Sequence, residues 1–184
     1  MVSQRLPRLA PATLRQDQSA LYDAITGGPR AQGPQHFALA APDGTLNGPF
    51  NALLYSPALG TALQEVGAAV RYRTGLPDRA RELAILLVAA RWDSAFERES
   101  HEAVARSLGF SEADLEAVRR EDPSSLAEEE AAFARAVLAL LDGDMDDEQW
   151  DAARSELGLT AIFELTALVG YYSTLALQLR VFRV

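Results

Sequence analysis

The sequence predicts an all-α protein, and three observations lead to this fold class. Apolar residues recur at helical spacing, as in Leu59, Leu63, Val66 and Val70. Capping residues and Gly or Pro breaks bracket these segments. No run combines β-branched residues, alternation and bracketing turns, so we expect no β-strand. We therefore expect a single domain over residues 1–184, a bundle of about eight helices with a central helical hairpin.

The composition excludes several chemistries. The 184 residues include no cysteine and no lysine, and all 17 basic residues are arginine. Thiol catalysis, disulfides and zinc-thiolate sites are therefore excluded, as is lysine Schiff-base chemistry. A net charge of −9 disfavours nucleic acid and anionic membranes, so we expect neither as a partner. The lack of cysteine and of an apolar run near residue 1 leads us to expect a cytoplasmic protein.

The N-terminal part is predicted to be one helix followed by a long loop. Residues 13–16 have the pattern of a capping box, and the helix ends at the Gly-Gly-Pro break of residues 27–29. Residues up to about 50 are rich in Gly, Pro and Asn, so we assign residues 12–50 to this helix and loop. Ser56 then caps the next helix, with Pro57 at its first position.

The middle of the chain is predicted to form the central hairpin. Asp78 caps a helix that runs to about Arg91, and its residues 83–90 are apolar all round. A helix without a polar face belongs in the centre of a fold. The next helix starts at Asp93 or Ser94, after so short a connection that the two helices pack antiparallel.

The C-terminal part is predicted to contain four more helices. Their start signals are Ser111, a capping box at residues 125–128, Asp146 and Thr160. Gly143 and Gly158 end the second and third of them. The apolar stretch of residues 161–179 contains Glu164 and Gln178, so we interpret it as a buried core helix rather than a membrane span.

The hairpin carries the best candidates for catalysis. Glu82 has Leu86 and Ala89 as helical neighbours, so it borders the core, where partial desolvation raises a carboxyl pKa. Glu97 and His101 are four positions apart and share an inward face of the next helix. In an antiparallel hairpin Glu82 and His101 lie at similar height. We therefore predict Glu82, Glu97 and His101 as catalytic residues.

At these residues the chain resembles the carboxymuconolactone decarboxylase-like family, which includes the alkylhydroperoxidase D proteins. The similar segments are residues 81–89, 96–101, 47–51, 56–57 and 168–172, within a core of residues 40–180. The resemblance implies an alkylhydroperoxidase D-like helical bundle that assembles as a homo-oligomer, either a trimer or a hexamer.

The peroxidase members of that family carry a Cys-x-x-Cys-x-x-x-His motif and an upstream glutamate. His101 and Glu82 match the histidine and the glutamate, whereas the cysteine positions fall on Ser94 and Glu97. Peroxidase activity of the alkylhydroperoxidase or peroxiredoxin type is therefore disfavoured, and the pattern is more similar to the decarboxylase branch.

The decarboxylase branch removes CO2 from an unsaturated lactone acid and reprotonates a carbon. Such a reaction needs an acid/base group and a cationic anchor for carboxylate. The resemblance makes His101 the proton donor, oriented by Glu82 or Glu97. Candidate substrate-binding residues are Arg81, Arg91, Arg98, Tyr171 and Tyr172. Arg98 stands where the family often has Trp, so the resemblance does not give the substrate.

We expect a metal-free, cofactor-free lyase or isomerase that acts on a small carboxylated or lactone-type compound. The alternative is a non-catalytic, oligomeric small-molecule-binding protein of the same fold. Plainer interpretations stay open for single residues: His101 as a surface partner of Glu97, Glu82 as a first-turn carboxylate favoured by the helix dipole, and Ser94 as an N-cap. The two histidines lie far apart, so we expect no metal site and assign His36 no role.

Overall fold

A computed structural model describes residues 4–28 and 37–184. Within these residues the protein is all-α, as predicted, with nine α-helices, no strand and one isolated bridge between Ala40 and Leu46. The helices are α1 (Gln16–Gly27), α2 (Pro49–Leu53), α3 (Pro57–Tyr72), α4 (Asp78–Arg91), α5 (Ala95–Ser107), α6 (Glu112–Arg119), α7 (Glu128–Asp142), α8 (Asp147–Glu156) and α9 (Gly158–Phe182). The helix beyond the expected eight is α2, which begins at the end of the predicted loop and runs to Leu53. His36 and residues 29–35 of that loop lie outside the described residues.

The chain forms two compact units. The first contains the residues up to Tyr72 and from Leu177 onwards, and the second is Arg73–Ala176. In the first unit α3 packs against α1 and α2. Its core consists of Leu21, Ile25, Leu39, Leu46, Phe50, Leu53 and Leu54. Burial of these apolar side chains is the main force that stabilises the unit.

Helix α4 forms the centre of the second unit. It packs against α5, α6 and α7, and all residues from Glu82 to Ala89 are buried. The prediction of a central apolar helix is therefore confirmed. Asp93, in the short connection between α4 and α5, adopts a positive φ of 49°. Aspartate tolerates this left-handed conformation better than most residues, which allows the chain to reverse within three positions.

Four predicted helix starts were wrong in detail. Thr13 lies in a short 3-10 helix, where its hydroxyl donates to Ala10 O rather than capping α1. The Ser125 hydroxyl donates to Asp122, and α7 begins three residues later without a side-chain cap. Helix α9 begins at Gly158 and already contains Thr160. Asp78 is the first residue of α4 rather than its cap, which is Pro77 and makes no side-chain cap. In the first two cases, a local turn captured the hydroxyl that the capping pattern had assigned to the helix.

Helix α9 is a core helix on one face only. Ile162, Leu165 and Leu168 are buried, whereas Leu159 is 59% exposed and Phe163 is 74% exposed. Its 25 residues are long and apolar enough to cross a membrane by length and composition alone, and 44% of its most apolar window is buried. The prediction of a buried core helix therefore holds for one face of α9, and the other face exposes apolar side chains.

Candidate active site

The hairpin of α4 and α5 brings Glu82 and His101 into direct contact. Glu82 lies in the second turn of α4, and His101 lies in the middle of α5. Nδ1 of His101 is 2.6 Å from Oε2 of Glu82. His101 is 5% exposed and Glu82 is 1% exposed. Contacts this short are typical of hydrogen bonds in which one partner is charged.

This contact orients the imidazole and sets the role of its second nitrogen. When Nδ1 carries a proton and donates it to Glu82, the lone pair of Nε2 is available as a base. The ring of Tyr172 meets the His101 ring edge to face, with centroids 5.4 Å apart. Tyr171 packs against Tyr172 in the same manner at 5.3 Å. The structure thus places the predicted Tyr172 against His101 and Tyr171 behind it.

Glu97 lies in the same buried region but does not pair with His101. It is 2% exposed, and both of its carboxyl oxygens lack a hydrogen-bond partner among the described residues. Burial raises the pKa of Glu97 to about 8, and the Ser94 hydroxyl opposes this by a smaller amount. Glu97 is therefore mainly neutral at pH 7, because a carboxylate without compensating donors is costly in the interior.

Sequence reasoning missed Ser94 as a site residue and assigned it only an N-cap role. Ser94 is the N-cap of α5, but its side chain accepts no capping hydrogen bond. Its hydroxyl is buried and, among the described residues, has no hydrogen-bond partner of normal geometry. The signal that points to it is its position as the N-cap three residues before Glu97, because an N-cap side chain reaches the third residue of its helix.

Each of the three predicted arginine anchors has an acidic neighbour in the chain. The ion pairs are Arg81 with Asp78, Arg91 with both Glu121 and Asp142, and Arg98 with Asp93. The hydrogen bonds to Glu121 and Asp142 raise the pKa of Arg91 above its ordinary value. Arg98 also lines a small cavity of about 180 Å³ together with Glu102 and Arg119. The structure therefore gives each of these guanidinium groups an acidic partner, although the buried Nε of Arg81 makes no hydrogen bond with a described residue.

Other features of the second unit lie apart from the Glu82–His101 pair. A cavity of about 570 Å³ is lined by the loop before α4, the starts of α7 and α9 and the end of α8, including Glu128, Phe133 and Glu164. A second cavity, of about 640 Å³, lies between α7 and α8. Within residues 4–28 and 37–184, no group of three or more His, Asp or Glu side chains is placed to hold a metal ion.

The comparison with protein families agrees with this architecture. The sequence model of the carboxymuconolactone decarboxylase family matches residues 57–141. This segment runs from the start of α3 almost to the end of α7 and contains Glu82, Ser94, Glu97 and His101. Residues 57–141 therefore belong to the carboxymuconolactone decarboxylase family, in a chain without cysteine. No curated protein matches the chain significantly.

Proposed function

We propose that this carboxymuconolactone decarboxylase-like protein is a lyase or isomerase that performs acid/base chemistry on a small carboxylated or lactone-type compound. The observation that carries the proposal is the buried 2.6 Å contact between Glu82 and His101. A carboxylate that holds one imidazole nitrogen leaves the other free to accept or donate a proton.

In this mechanism His101 moves the proton and Glu82 positions it. Nε2 takes a proton from a carbon next to a carbonyl group, or returns one to that carbon after CO2 has left. Glu82 fixes the ring and stabilises the imidazolium that forms when Nε2 is protonated. Proton transfer by a positioned side chain contributes about 10²–10⁴-fold to a rate. The same two residues serve decarboxylation and isomerisation, because both reactions end with protonation of a carbon.

Two alternatives are less well supported. A binding protein that merely retained the fold would have no need for Glu82 and His101 to approach each other, and their contact favours catalysis. A thiol peroxidase requires a redox-active cysteine, and the sequence has none.

We further propose that the protein is a cytoplasmic homo-oligomer. The support is the exposed apolar face of α9, on which Leu159 and Phe163 are largely accessible. Large exposed apolar patches on soluble proteins are typical of interaction surfaces. In a homo-oligomer, neighbouring copies of the chain cover this face. The exposed apolar residues of α9 then pack against protein rather than against lipid.

The test is turnover by purified protein of a panel of small unsaturated lactones and lactone carboxylic acids, followed by NMR. We expect His101→Ala and Glu82→Gln each to abolish turnover while the protein stays folded. Glu99→Gln, an exposed position on α5, is the matched control and keeps full activity. Unchanged turnover in both site variants would contradict the assignment. A folded wild-type protein that turns over none of the panel would favour the binding alternative.

A further inference from the structure

Two buried polar side chains of the site take no part in the Glu82–His101 contact. These are Ser94 and Glu97. The Ser94 hydroxyl lies near Glu97 and opposes the rise of its pKa, but neither side chain makes a hydrogen bond of normal geometry with a described residue. Ser94 is 7% exposed and Glu97 is 2% exposed. A buried polar group without a partner costs about 1–3 kcal/mol, so three such atoms together require an explanation.

The helix places these groups next to each other and next to His101. Ser94 and Glu97 are separated by three positions at the start of α5, and His101 follows Glu97 by four. Glu97 and His101 lie within α5 and are neighbours on one helix face, whereas Ser94 is the extended N-cap, from which a side chain reaches the third residue of the helix. Among the described residues no arginine pairs with Glu97, so a proton rather than a cation neutralises its charge. Ser94 and Glu97 therefore each offer one O–H donor.

We propose that Ser94 and Glu97 form a binding site for the carbonyl oxygen of a neutral ketone or lactone. A carbonyl oxygen has two lone pairs and accepts one hydrogen bond from each donor. A substrate bound in this way satisfies the buried hydroxyl and the carboxyl O–H. Ser94 and Glu97 thus recognise a carbonyl group rather than a carboxylate.

The charges around the site support this choice of substrate. Glu82 lies beside His101, so an added carboxylate would meet negative charge when Glu82 is ionised. Each of the three arginines predicted to hold a carboxylate has an acidic partner of its own, although the buried Nε of Arg81 makes no hydrogen bond with a described residue. A neutral acceptor requires no cation. Two hydrogen-bond donors suffice for it.

If the proposed function holds, the same two donors also take part in the reaction. His101 Nε2 removes a proton from the carbon next to the carbonyl. The electron pair of that C–H bond forms a C=C bond, and the π pair of the C=O bond moves to the oxygen. The hydrogen bonds from Ser94 and Glu97 stabilise the resulting enolate. The imidazolium then returns the proton to a carbon, so the net change is a shift of one hydrogen. Donors placed at a developing oxyanion contribute about 10²–10³-fold to a rate.

The binding part of the proposal is tested with two probes that share a ring, cyclopentanone and cyclopentanecarboxylate, titrated against the wild-type protein by ligand-observed NMR. We expect cyclopentanone to bind more tightly than the carboxylate. Ser94→Ala and Glu97→Leu should each weaken cyclopentanone binding about tenfold, the equivalent of one hydrogen bond. Glu97→Gln keeps an N–H donor and should retain most of the binding, whereas Glu99→Gln should not change it. Circular dichroism confirms that each variant is folded, and Ser94→Ala decides the matter if Glu97→Leu does not fold.

The outcomes separate this proposal from the proposed function. The carbonyl site is overturned if cyclopentanone does not bind to the wild type. It is also overturned if cyclopentanone binds equally well to the wild type and to Ser94→Ala. Tighter binding of cyclopentanecarboxylate overturns it as well. Turnover that depends on His101 but not on Ser94 and Glu97 would leave the proposed function standing and overturn only this inference. Binding that requires both donors, in a protein without turnover, would leave the site standing and contradict the enzyme.

Discussion

Glu82 contacts His101 at 2.6 Å across the hairpin, although 19 positions separate the two residues in the chain. Glu97 is only four positions from His101, yet it makes no hydrogen bond with a described residue. The partner that orients the imidazole therefore comes from the facing helix α4. Glu97, which is nearer in sequence, stays neutral and buried. Two acidic residues of one site thus have different environments, which is how proteins divide acid and base roles between like groups.

The buried carboxyl of Glu97 makes folding stability depend on pH. Its pKa is raised from 4.5 to about 8 in the folded protein, so the unfolded chain loses this proton at lower pH than the folded one. The contribution is fully present below pH 4.5 and is lost as the pH rises towards about 8. As the pH rises through this window, the free energy of unfolding of the wild type should fall relative to that of Glu97→Gln. The fall should be at most about 1.4 kcal/mol per pH unit. Denaturant unfolding at several pH values measures this difference. Parallel pH profiles of the two proteins would show that Glu97 is not buried in the neutral form.

Two serines at helix N-caps should differ in their effect on stability. Ser111 accepts a hydrogen bond from Asp114 N at 3.1 Å, whereas the Ser94 side chain accepts no such bond. Ser111→Ala should therefore cost about 1 kcal/mol of unfolding free energy, and Ser94→Ala less than about 0.5 kcal/mol. Urea denaturation of both variants checks this. An equal loss in Ser94→Ala would assign its hydroxyl to capping rather than to ligand binding.

Arg91 should act on stability rather than on substrate binding. Its guanidinium makes ion pairs of 2.8 Å with Glu121 and 2.7 Å with Asp142. Because these groups are partly exposed, Arg91→Gln should cost no more than about 1 kcal/mol, or roughly 2–4 °C in melting temperature. The KM for any substrate found in the lactone panel should not change. A higher KM at an unchanged melting temperature would make Arg91 a substrate anchor after all.

The exposed face of α9 should hold the oligomer together. Phe163 is 74% exposed, so a polar substitution there does not disturb the core of the chain. We expect the wild type to sediment as a trimer or hexamer and Phe163→Ser to sediment as smaller species. Trp150→Ser on α8, 39% exposed, is the matched control and should keep the wild-type assembly. Sedimentation of the wild type as a monomer, or an unchanged assembly in Phe163→Ser, would contradict this interface.

The fold was more predictable from the sequence than the site was. The apolar run of residues 83–90 specified a buried helix, because no polar face remained to meet solvent. Helix starts were less certain, since Thr13 and Ser125 bond within local turns that the capping pattern does not distinguish. Helical spacing placed His101 and Glu82 at similar height. It gave no information on which acid would touch the ring, because that depends on how two helices pack.

Incorporation of solvent hydrogen during turnover tests proton transfer by His101 and Glu82 most directly. Wild-type protein is incubated in D2O with α-angelica lactone. The double bond of this lactone shifts into conjugation with the carbonyl when one proton moves. Deuterium in the product is measured by mass spectrometry. We expect isomerised lactone with deuterium on carbon from the wild type and Glu99→Gln. His101→Ala and Glu82→Gln should give no more product than buffer alone. Isomerisation and deuterium incorporation that persist in both His101→Ala and Glu82→Gln would contradict proton transfer by this pair.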